Sequence, residues 1–134
     1  MVDFIGKEIL VEGFKVAFEK ILGKINKNYF NTIEKRTRLA EALTSINQAI
    51  IETKRFIRDE GYFDNTELSK LWHEAFNKSV AADLEDGLPE YLYHKADFWG
   101  DPQEWINNPA SLEIVPKLRD LKRLCDGIMV RISK

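Results

Sequence analysis

Side chains able to move protons or bind metals are sparse in this chain, and the histidines are His73 and His94. His73-Glu74 begins like the zinc-protease pattern H-E-x-x-H, but Asn77 stands where the second ligand is required. A di-metal helical bundle needs Glu-x-x-His pairs, and Lys70 and Tyr91 occupy the positions three before the histidines. His94 and Asp97, three apart on one predicted helix, have the spacing of a His–carboxylate pair. With Glu74 or Lys95 they would form the pocket of a small enzyme, which is an alternative reading. The glycines are dispersed, and none builds G-x-G-x-x-G or a lysine-ending phosphate loop. No residue is therefore assigned a catalytic role, and neither a metal nor a cofactor is expected. Cys125 falls in the apolar series Leu118, Leu121, Cys125, Ile128, Ile132, where a buried thiol acts as a small hydrophobe. Being the single cysteine, it excludes an intramolecular disulfide and suits a reducing cytoplasm.

The aromatic residues are more distinctive. All three tryptophans lie in the stretch from Leu68 to Trp105: Trp72, Trp99 and Trp105. One reading is an aromatic subcore that fixes short helices onto a long pair. The sharper reading is a recognition surface in which Trp99 and Trp105 present ring faces, with Tyr91 beside them and Lys95 and Asp97 supplying polar contacts. The pattern Leu68-x-x-Leu71-Trp72-x-x-Ala75, then Lys95-Ala96-Asp97-Phe98-Trp99-x-Asp101-Pro102-x-x-Trp105, resembles one found in small prokaryotic helical proteins. That resemblance covers roughly residues 37–106 and implies no established activity. The plan of a long helical hairpin behind an amphipathic first helix is also similar, in architecture alone, to HeLo-type bundles of cell-death effectors.

The elements that must hold these residues are helices. From Asp3 to about Asn26 a broad apolar face runs through Leu10, Phe14, Ala17, Phe18, Ile21, Leu22 and Ile25. A second stripe of Ile5, Ile9 and Val16 lies on the far side and is a candidate interface. Gly6, Gly13 and Gly23 sit within this helix and suggest close helix approach or loose holding. From about Asn31 to Glu60, Leu39, Leu43, Ile46, Ile50, Thr53 and Ile57 alternate spacings of three and four, the seam of a bundle helix ended by Gly61. Asp64 to Glu67 has the form of a capping box opening a third helix with Leu68, Leu71, Trp72, Ala75, Phe76 and Val80 on one face. Pro89 opens a fourth helix through Trp99, Asp101-Pro102 starts a short helical turn, and Pro116 starts the last helix. The fold class expected is all-α, an up-and-down bundle of four main helices with short connecting helices, in one domain over residues 1–134.

At 134 residues, 44% hydrophobic and 31% charged, the chain has the balance of a globular domain. Its formal net charge of −2 shows no basic excess, so no nucleic acid is expected as a partner. Asp3, Lys7, Glu8, Glu12 and Lys15 interrupt the apolar N-terminus, so neither an export signal nor a membrane span is expected. The first helix carries nearly balanced charge, which leaves membrane insertion by a cell-death effector as a minor alternative. The leading expectation is a non-catalytic helical interaction or signalling module, in prokaryotic stress or defence, that binds a protein partner or a second copy of itself.

Overall fold

The computed structural model describes residues 16–84, 88–107 and 117–132. Among them the fold is all-α, with no strand. Helix α1 is described over residues 16–26. It is followed by α2 (Ile33–Glu60), α3 (Thr66–Ala81), α4 (Leu88–Gly100), the short α5 (Pro102–Ile106) and α6 (Leu118–Ile132). Ile5, Ile9, Gly6, Gly13 and Pro116 lie outside the described residues. Val16, the remaining member of the second stripe, is 43% exposed.

The long helix α2 forms because its apolar residues recur on one face. Leu39, Leu43, Ile46, Ile50 and Thr53 are buried as the spacing predicts, Ile57 is half-buried, and Ala42 and Ala49 widen the buried strip. Arg36, in phase with the seam, emerges into solvent. The helix starts at Ile33 rather than at Asn31, because the Thr32 hydroxyl accepts the Lys35 amide at 3.1 Å and caps it. Gly61 ends it with φ of 86°, a conformation that favours glycine.

A short turn returns the chain antiparallel, and α3 packs along α2. Its cap is Asn65, not Asp64: the Asn65 side chain accepts the Leu68 amide at 3.0 Å. Glu67 is thereby placed within the first turn, where it pairs with Lys70 at 3.8 Å instead of closing a capping box. Leu68, Trp72, Ala75 and Ser79 form the buried strip. Leu71 and Phe76 are half-buried and Val80 is exposed, so the apolar face is narrower than the sequence alone indicates. Helix α4 packs antiparallel on α3, and α6 packs on the other side of α2, burying Leu121, Leu124, Cys125 and Ile128.

The glycine that a close helix approach requires is Gly127 of α6, where an added Cβ would meet the Phe18 ring of α1 at 3.0 Å. A Cβ at Gly23 would meet nothing within 4 Å, so no tight packing depends on that glycine.

Candidate functional site

Helix α4 decides the fate of the aromatic segment. Its buried side carries Leu88, Leu92, Lys95, Ala96 and Trp99, spaced by three and four residues. The opposite stripe of Glu90, Tyr93 and Asp97 therefore faces solvent, and Asp101 and Glu104, further along the chain, are exposed as well. Asp101 caps α5 by accepting the Glu104 amide at 3.3 Å, as the Asp-Pro pair predicts.

Trp99 does not present a ring face to solvent. It is 1% exposed, with Phe56 and Phe98 edge-on at 5.8 and 5.1 Å and Tyr62 stacked on it at 6.0 Å. Among the described residues its buried indole N–H has no hydrogen-bond partner. The aromatic subcore is thus the arrangement found for Trp99 and for Trp72, whose N–H donates to the buried Thr53 hydroxyl at 3.0 Å. Trp105 is half-buried with its ring against His94 at 6.0 Å.

Lys95 is likewise removed from the surface, at 7% exposure, with its amine 5.8 Å from the centre of the Trp72 ring. Burial lowers its pKa to about 8, because the charged form loses its hydration. Tyr91 is half-buried, and its phenol is raised by burial first and by neighbouring Glu90 second. Of the residues read from the sequence as a recognition surface, Asp97 is exposed, Tyr91 and Trp105 are half-buried, and Lys95 and Trp99 belong to the interior.

The members of the enzyme-like group have separate neighbours. His94 meets Trp105, His73 meets Tyr93 edge-on at 5.6 Å, and Glu74 pairs with Lys78 at 3.1 Å. Glu74 lines an open groove of about 350 Å³ between α2 and α3, with Thr37, Glu41, Thr44, Ser45 and Lys78, and none of His94, Asp97 or Lys95 lines it. Among the described residues no group of three or more His, Cys, Asp or Glu side chains is placed to hold a metal ion. No helix among them is long and apolar enough to cross a membrane. Burial raises the Cys125 thiol to about 12, with Asp126 adding to the rise, so the thiolate is disfavoured.

The chain matches no known protein family, no characterised protein and no solved structure.

On the outer edge of α4 and α5, Asp97 alone was read from the sequence as a contact residue. Tyr93 is 47% exposed, held between His73 and Phe76 of α3, and is flanked by Glu90 and Asp97. Glu90, Asp97, Asp101 and Glu104 are all exposed, and none forms an ion pair among the described residues. Their signal was present in the spacing from Glu90 to Glu104, but it lay opposite the tryptophans rather than among them.

Proposed function

We propose that this chain is a non-catalytic helical interaction module and that the α4–α5 edge is its protein-binding surface. The observation that carries this reading is a side-chain set of one sign around a fixed aromatic. Tyr93 is braced by ring contacts at 5.6 and 5.7 Å, while Glu90 and Asp97 on its helix face form no ion pair among the described residues. A braced tyrosine gives contact area at small entropic cost, and carboxylates not neutralised by a cation among the described residues are ready to meet a basic surface.

The reading separates this edge from the α2–α3 groove. Tyr93→Ala should abolish capture of partner protein by the full chain, while Glu74→Gln and His94→Ala leave it intact, with helicity by circular dichroism unchanged in all three. Loss of capture on Glu74→Gln or His94→Ala, with Tyr93→Ala retaining it, would place function at a polar pocket and overturn the reading.

A further inference from the structure

The formal charge of −2 conceals a segregation of sign across the molecule. Between Leu88 and Asn107 the surface acids are Glu90, Asp97, Asp101 and Glu104, and Lys95, the one lysine or arginine in that stretch, is buried. Helix α6 has the opposite balance: Arg119, Arg123 and Arg131 are exposed, as is Lys117 just before it, against the half-buried Asp120, while Asp126 is occupied by Lys122 at 2.9 Å. None of these exposed cations forms an ion pair among the described residues.

Helix α3 separates the two surfaces. Leu71, Glu74 and Lys78 line its groove with α2. On its other flank the Ser69 hydroxyl donates to the Ala96 carbonyl at 2.8 Å, and His73 and Phe76 touch Tyr93. Its own exposed charges are matched internally, Lys70 to Glu67 and Lys78 to Glu74. The acidic edge therefore lies on one flank of a self-neutralised helix, while the basic α6 packs on α2 and on neither α3 nor α4.

We propose that the acidic α4–α5 edge of one copy docks on the basic α6 surface of a second copy of this chain. The proposal rests on the reading of that edge as the binding surface and names its partner. Each surface carries repulsion among its own unpaired like charges, and docking one on the other replaces that repulsion with attraction that fixes register. One contact leaves the acidic edge of one copy and the basic surface of the other unused. The association is accordingly head-to-tail, and it extends beyond a dimer unless the rotation closes a ring.

The test is sedimentation velocity on the full chain at salt concentrations on the order of 0.02 M and 0.5 M, which differ strongly in screening length. The expected result is a sedimentation coefficient that rises with protein concentration at low salt and stays monomeric at high salt. Glu90→Lys/Asp97→Lys/Glu104→Lys makes both surfaces basic, and Arg119→Glu/Arg123→Glu/Arg131→Glu makes both acidic, all at exposed positions. Each variant alone should weaken self-association by about tenfold or more, and an equimolar mixture of the two should associate again. A mixture that sediments as monomers, or self-association indifferent to salt and to both variants, overturns the proposal. A chain that stays monomeric while Tyr93→Ala still removes capture of a different protein overturns the self-pairing and leaves the α4–α5 reading standing. If Tyr93→Ala also has no effect on capture, both fall.

Discussion

Lys95 sits where α4 needs an apolar residue, and its burial has a measurable cost. The folded chain binds the lysine proton with a pKa of about 8, against 10.5 for the free side chain. Below pH 8 the penalty for burying the ammonium is fully present, and between about 8 and 10.5 the unfolded chain holds more protons, so this group makes stability rise with pH. Cys125 acts oppositely from pH 9 upward, because the unfolded thiol ionises while the folded one holds its proton up to about 12. Lys95→Met keeps the stem and removes the charge. It should raise stability near pH 7 by on the order of 1–3 kcal/mol, less whatever the contact with the Trp72 ring contributes. The gain should shrink as pH rises from 8 to 10.5, when wild type and variant are compared by urea unfolding at each pH so that Cys125 cancels. A gain that does not change with pH would show that the buried ammonium is not its source. The sequence made Lys95 a polar contact of a surface because lysine is rarely buried, and only its phase with Leu88, Leu92 and Trp99 argues otherwise. Cys125 was legible, since it shares its phase with Leu121 and Ile128.

At the scale of elements, two helix glycines differ in what surrounds them. Gly23 lies in the described part of α1 with open space at its Cβ position, so Gly23→Ala should raise stability by about 0.5–1 kcal/mol through helix propensity alone. Gly127→Ala has the same propensity gain available but drives a methyl against the Phe18 ring at 3.0 Å. It should therefore gain less than Gly23→Ala or lose stability, as read by the shift in urea midpoint. Equal gains at the two sites would mean that α1 does not press on α6 there. The helix seams were legible because spacings of three and four from Leu39 to Thr53 leave one face to bury. Cap positions were less so: Asp64 and Asn65 are both good cap residues, and the choice of Asn65 accompanies a tertiary bond, its amide donating to the Trp99 carbonyl at 2.9 Å. A similar limit applies to Asn28 and Asp83, whose positive φ values of 59° and 65° place Tyr29 where its hydroxyl donates to the Asp83 carboxylate. Those residues are 54 apart in the chain, and no local pattern announces the contact.

At the scale of the molecule, the all-α bundle followed from periodicity, whereas the distribution of charge over its surface did not. Summing to −2 treats the acids of α4–α5 and the cations of α6 as if they cancelled, but α4 packs on α3 and α6 on α2, and the two sets form no ion pair among the described residues. Aromatic composition drew attention to Trp99, which serves the interior, while Tyr93 on the outer face carried no motif. The proposed binding surface is the α4–α5 edge and not the groove beside Glu74. The most direct measurement is photocrosslinking of the full chain in cells with benzoylphenylalanine placed in turn at positions 93 and 74. The account predicts a discrete protein adduct, a second copy included, from position 93 and none from position 74. An adduct from position 74 alone, or from neither position, would contradict it.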